Sequence, residues 1–112
     1  MTPAARVDAA IAILDRILAG EPAEPALLRW SRASRYAGSG DRAAVRDLVF
    51  DSLRRLRSRA VLGGALTGRG LMLGMCRDDN TDPALIFSGE GHAPAVLSPE
   101  EMAAPPAPDA GE

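Results

Sequence analysis

Apolar residues recur along this chain at three- and four-residue spacing, and no stretch alternates with the period of two that marks a half-buried strand. Val7, Ala10, Ile11, Leu14, Ile17 and Leu18 form the first stripe. Thr2 stands before it as a cap, Pro3 takes the first helical position, and Gly20 ends it, so the pattern predicts a helix over 3–19. After the turn Glu21-Pro22-Ala23-Glu24-Pro25, a second helix is expected over 24–36. Ala26, Leu27, Trp30, Ala33 and Ala37 fall on its core side, and Arg29, Arg32 and Arg35 lie opposite. The longest periodic segment follows. Gly38 and Gly40 turn the chain, Asp41 reads as the N-cap, and Val45, Leu48, Val49, Ser52, Leu53 and Leu56 share one face of a single helix over 41–62.

Gly63-Gly64 breaks that helix, and a shorter one is expected over 69–77, with Leu71, Met72, Met75 and Cys76 as its apolar contacts. Gly70 and Gly74 count against it by roughly 1 kcal/mol each relative to alanine. Asp82-Pro83 starts a single helical turn through Phe87. Ser98-Pro99-Glu100-Glu101 has the cap, the proline and the first-turn acids of another helix, but runs at once into an Ala/Pro-rich acidic stretch. The expected organisation is an all-α helical domain over 1–97, then a truncated helix start and a disordered tail or linker over 98–112.

Composition supports helices over a sheet: 46% of residues are apolar but only 4% are aromatic. The formal charge of −2 conceals a strong asymmetry. Residues 29–77 hold eleven arginines against three acids, whereas residues 78–112 hold eight acids and neither arginine nor lysine. A single cysteine, Cys76, permits no internal disulfide, and the opening residues lack the pattern of a secretory leader, so a cytoplasmic location without a membrane span is expected.

Two glycine patterns imitate nucleotide loops. Gly63-Gly64-Ala65-Leu66-Thr67-Gly68-Arg69-Gly70 approaches the phosphate-binding loop, but Arg69 replaces its lysine, Gly70 replaces its hydroxyl residue, and no strand precedes it. Gly68, Gly70 and Gly74 approach a dinucleotide or methyl-donor loop with the last spacing one residue too long. Both read better as interhelical turn. His92 and Cys76 are each alone, which falls short of a zinc site or a nucleophile–base pair. These residues therefore present no catalytic site, no metal site and no cofactor site.

The arginines carry the functional signal. Arg29, Arg32 and Arg35 share one helix face, and Arg42, Arg46, Arg54 and Arg57 another. Guanidinium groups suit phosphate and stack on bases. Local pairing, with Asp51 reaching Arg55 and Asp47 reaching its neighbours, disposes of two or three charges at most. The acidic tail could neutralise the face within the molecule. Phe50 lies among these arginines, where burial under a neighbouring helix is the more frequent outcome and base stacking the rarer one.

The segment from Asp41 to Arg54, DRAAVRDLVFDSLR, resembles the "DR…v..lvyGvLR" helix of the N-terminal NusB-like domain of bacterial ribosomal RNA cytosine-C5 methyltransferases. RVDAAIAILDRILAG resembles that domain's opening helix, and Trp30 to Ser39 looks like the form in alphaproteobacterial members. Asp51 stands where the pattern has glycine, and the second half of a NusB fold is poorly matched. The resemblance implies a partly truncated NusB-like bundle that helps engage RNA. It implies no chemistry of the bundle's own: S-adenosylmethionine and the paired cysteines belong to a catalytic domain outside these residues. Three functions stay open: an RNA-binding accessory domain of a ribosomal RNA methyltransferase, an antitermination factor of NusB type that binds RNA with a protein partner, and a structural helical interaction module.

Overall fold

The structure, a computed structural model, describes residues 1–103. It is all-helical, with no strand among these residues. The helices are α1 (Pro3–Leu18), α2 (Ala23–Ala33), α3 (Ser39–Arg54), α4 (Leu56–Gly63), α5 (Gly68–Asp78) and α6 (Pro99–Met102), with a 3-10 turn at Pro83–Leu85 between the last two. Residues 104–112, expected as a disordered tail, lie outside the described residues.

α1 forms where the stripe places it. The Thr2 hydroxyl accepts from the Ala5 N–H at 3.1 Å, and Val7, Ala10, Ile13 and Leu14 are buried. Its buried face meets α2, α3 and α5. α2 ends at Ala33, three residues before the expected Tyr36, because Ser34 leaves helical geometry and is itself buried. Trp30 packs against the core from a half-buried position.

The expected single helix over 41–62 is two helices. It starts earlier, at Ser39, so Asp41 is not the N-cap: it occupies the third helical position, and its carboxylate reaches back to accept from the Gly38 N–H at 3.1 Å. Arg6 pairs with the same carboxylate at 2.9 Å, and the N-terminal ammonium lies 3.4 Å away. The Gly38 hydrogen bond first, then the Arg6 contact, hold the Asp41 carboxyl below its usual range. The path then breaks at Arg55, whose φ of −116° and ψ of 33° leave the helical region. No glycine or proline marks the break. It arises because α3 packs on α1 while α4 packs chiefly on α5; one straight rod cannot follow both.

α5, the shortest of the expected helices, is the most enclosed element. Leu71, Met72, Leu73 and Cys76 are wholly buried. The glycines that weaken its intrinsic helicity are what admit its neighbours. A Cβ on Gly74 would lie 2.0 Å from the Arg59 carbonyl oxygen, one on Gly70 2.1 Å from that of Ala65, and one on Gly68 2.3 Å from that of Ile11 in α1. Across the seam, a Cβ on Gly63 of α4 would meet the Gly70 carbonyl oxygen at 1.7 Å. The turn between α4 and α5 is closed by Gly64 at φ 82° and by Thr67, whose hydroxyl caps α5 through the Gly70 N–H at 2.9 Å. The glycine pattern that imitates a nucleotide loop is therefore a helix-packing seam.

α6 is a genuine helix start, with the Ser98 hydroxyl accepting from the Glu101 N–H at 3.2 Å and the Glu101 carboxylate accepting from the Ser98 N–H at 2.9 Å. It is fastened to α5. Arg69 donates to both Glu101 oxygens, at 2.7 and 3.0 Å, and to the Ala95 and Val96 carbonyls. Its guanidinium also covers the buried Phe87 ring. Arg77 donates to the Leu62 carbonyl at 2.7 Å, at the end of α4, and to the carbonyl oxygen of Glu101. The contact with Arg69, opposed in part by desolvation, lowers the Glu101 carboxyl to about 2. Among the described residues no helix is long and apolar enough to cross a membrane.

Candidate nucleic-acid interface

The structure divides ten of the eleven arginines of the basic middle into two sets, and the eleventh, Arg55, is exposed and paired with Asp78. Arg59, Arg69 and Arg77 serve the interior. Arg59 is 4% exposed, donates to the Ser52 hydroxyl at 2.8 Å, and its Nε has no hydrogen-bond partner among the described residues. The seven candidates, Arg29, Arg32, Arg35, Arg42, Arg46, Arg54 and Arg57, are all exposed.

Arg42 and Arg46 lie where α2 stands beside the first half of α3. A cleft of about 270 Å³ is lined by Trp30 and Ser31 of α2 and by Arg42 and Arg46 of α3. Leu28 borders this cleft and also a second, on the other side of α2, which Arg29 and Arg32 line. Arg54 stands at the end of α3 and Arg57 in α4, where it edges an apolar cleft formed with Leu56, Val61 and Leu66. Arg35 follows α2 in the turn toward Gly38. The two arginine rows expected on separate helices thus stay apart: Arg29 and Arg32 border one cleft, Arg42 and Arg46 another across Leu28, and Arg35, Arg54 and Arg57 lie elsewhere.

Several of these charges are paired, and with partners other than the nearest in sequence. Glu24 forks onto Arg46 with contacts of 3.1 and 2.6 Å, joining α2 to α3. This contact lowers the Glu24 carboxyl and raises Arg46. Arg29 pairs with Glu21 at 2.8 Å. Asp51 pairs with Arg54, not with Arg55 as its spacing suggests, and Arg55 turns to Asp78 at 3.3 Å. Arg42 makes one long contact of 3.4 Å to the Ser31 carbonyl. Arg32, Arg35 and Arg57 make no ion pair among the described residues. Against the seven candidates, which do not share one surface, stand Glu21, Glu24, Asp47 and Asp51, a difference of three positive charges in all.

Phe50 is half-buried against the core, and the Arg46 guanidinium lies 4.8 Å over its ring. Its face is therefore taken within the molecule. The acidic segment does not cover the candidate arginines over its described part: Glu101 is held by Arg69 and Arg77, on α5. Asp109 and Glu112 lie outside the described residues.

The fold also brings together Tyr36 and His92, a pair the sequence pattern does not single out. Their rings lie nearly parallel, 12° apart, with centroids 6.0 Å from each other. They are 56 residues apart in the chain, and no periodicity or spacing links them; an aromatic residue directly after an exposed arginine is the one local hint. Among the described residues no group of three or more metal-ligating side chains converges. Comparison with known protein families, with curated proteins and with solved structures finds no match for this chain.

Proposed function

We propose that this chain is an RNA-binding helical domain, of the kind that accompanies an S-adenosylmethionine-dependent ribosomal RNA cytosine-C5 methyltransferase in a full-length enzyme. The observation that carries the reading is the exposure of Arg42 and Arg46 at the α2–α3 cleft and of Arg29 and Arg32 at the neighbouring cleft across Leu28, with only Glu21 and Glu24 paired to them. Guanidinium groups on rigid helices can hold phosphates at fixed spacing without reading sequence. The likeness of Asp41–Arg54 and of the opening helix to the NusB-like domain supplies the ribosomal RNA and the methyltransferase partner. Catalysis, with the cofactor and its cysteines, falls to that other domain.

The test is the salt dependence of binding to single-stranded RNA. Arg42 and Arg57 are the residues to change, because neither makes an ion pair that joins helices, whereas Arg46 does. Each phosphate neutralised on a single strand contributes about −0.7 to the slope of log K against log salt. R42Q/R57Q should weaken binding to many sequences alike and flatten the slope by up to ~1.4. Glutamine is close to arginine in helix propensity, so the fold should persist.

One observation favours the structural-module reading instead: the apolar cleft beside Arg57, where Leu66 is 58% exposed. Wild-type protein without salt-sensitive RNA binding would leave that reading in place.

A further inference from the structure

Most side chains able to stack on a ligand are unavailable in this fold. Phe50 lies under Arg46, Phe87 is buried under Arg69, and Trp30 is half-buried against the core. Tyr36 is different. It is 64% exposed, sits in the turn after α2, and has its ring nearly parallel to that of His92, which is exposed in the Gly/Pro-rich segment after the 3-10 turn. Neither ring belongs to the core. Together with Asp8, Trp30 and Ser34 they line a cleft of about 210 Å³. That is below the ~300 Å³ at which pockets for drug-sized ligands begin, and suits a single flat ring system.

The surroundings say which flat ligand. Arg35 directly precedes Tyr36 in the turn after α2, is exposed, and makes no ion pair among the described residues. A cation that can hold a phosphate is thus the chain neighbour of an aromatic pair that can hold a base. This combination is how unpaired nucleotides are bound without dependence on sequence: stacking on the aromatic face, with the backbone tracked by arginine. The Asp8 carboxylate in the same cleft makes no ion pair among the described residues and offers acceptors to an exocyclic amino group.

The geometry points to a stacking platform, formed by Tyr36 and His92, that takes one unpaired base of single-stranded RNA while Arg35 contacts its backbone. This rests on the RNA-binding reading above and adds a site to it. The ligand is an unpaired stretch rather than a duplex, since a base inside a duplex already has both faces stacked.

The experiment measures binding of the whole chain to fluorescein-labelled, unpaired oligoadenylate across a salt series, with far-UV circular dichroism to verify folding. Stacking is worth a factor of about 5 to 150 per base on truncation to alanine. Tyr36→Ala and His92→Ala should each weaken binding within that range and leave the salt slope unchanged. Tyr36→Phe should bind as the wild type does, because the ring and not the hydroxyl carries the contact. Arg35→Gln should instead flatten the slope by about 0.7. If both alanine variants bind as tightly as wild type while R42Q/R57Q weakens, the platform is refuted and the basic-face reading stands. If Tyr36→Phe loses as much as Tyr36→Ala, stacking is refuted as the mode of contact. If the wild type does not bind the oligonucleotide at any salt, both proposals fall together.

Discussion

Replacing Gly74 by alanine tests the account of the α4–α5 seam, because intrinsic propensity and packing predict opposite signs. Within a helix alanine is better than glycine by about 1 kcal/mol, so propensity alone makes Gly74→Ala stabilising. The added methyl, however, would lie 2.0 Å from the Arg59 carbonyl oxygen, 2.7 Å from its carbon and 2.9 Å from the Arg59 Cα, where ordinary contact begins at 3.4 Å. All three atoms are backbone, so no rotamer change relieves the clash. α4 has to move away by more than an ångström, and a gap of even ~0.5–1 Å forfeits a quarter to a half of the dispersion energy along the opened surface. Overpacking costs about 1–3 kcal/mol, and a clash with backbone belongs at the upper end of that range. With the propensity gain of about 1 kcal/mol set against it, Gly74→Ala should destabilise by about 2 kcal/mol, a large share of the ~5–15 kcal/mol that holds a domain of this size. Gly40→Ala is the matched control. It lies in the first turn of α3 with nothing within 4 Å of the place its methyl would take, and should stabilise by up to about 1 kcal/mol. Urea unfolding followed by far-UV circular dichroism measures both, with unchanged m-values as the condition for comparing midpoints. A Gly74→Ala protein as stable as wild type at the same m-value would refute the close-packed seam.

Other consequences are equally direct. Because the Glu101 carboxyl is depressed to about 2 by Arg69, its contribution to stability is complete above its ordinary value of 4.5 and is lost as pH falls toward 2. The stability difference between wild type and Glu101→Gln, from urea unfolding at several pH values, should therefore be largest near neutrality and close as pH approaches 2. Arg59 is buried with its Nε unpartnered and with Ser52 as its hydrogen-bond partner, so the double variant S52A/R59M should be at least as stable as wild type, whereas Arg59→Ala, which leaves a cavity, should lose about 2 kcal/mol or more in the same assay. Cys76 is wholly buried, and desolvation raises its thiol above the ordinary value; it should resist alkylation by iodoacetamide in the folded protein and react promptly in denaturant.

Where the amino-acid pattern acts locally, it decides the outcome by itself. The α1 stripe, its Thr2 cap and Pro3 need only their own neighbours, and that helix stands within a residue of its expected bounds. The same holds for the Ser98 and Glu101 capping box and for the turn at Pro83. The chain-wide absence of period-two alternation excluded strands for the described residues without any knowledge of packing. The surplus of arginine in the middle of the chain was equally plain, and so was its placement on outward helix faces.

Contacts between distant residues lie beyond local pattern. The break at Arg55 leaves no trace in the sequence, because Leu53 and Leu56 continue the helical period across it; it follows from α3 and α4 having different partners. Gly70 and Gly74 read as weak points in a helix, and only the backbone packed against them, Ala65 in the α4–α5 turn and Arg59 in α4, reverses their meaning. Glu24 is 22 residues from Arg46, and Tyr36 faces His92 from a separate segment; neither pairing has a spacing rule behind it. Sequence thus determined that the chain is helical, roughly where its helices lie and which stretches are charged, since these depend on neighbours along the chain. The tertiary structure decided which arginines are structural, which are paired and which stay exposed, since a charge is neutralised by whatever the fold brings within a few ångströms of it.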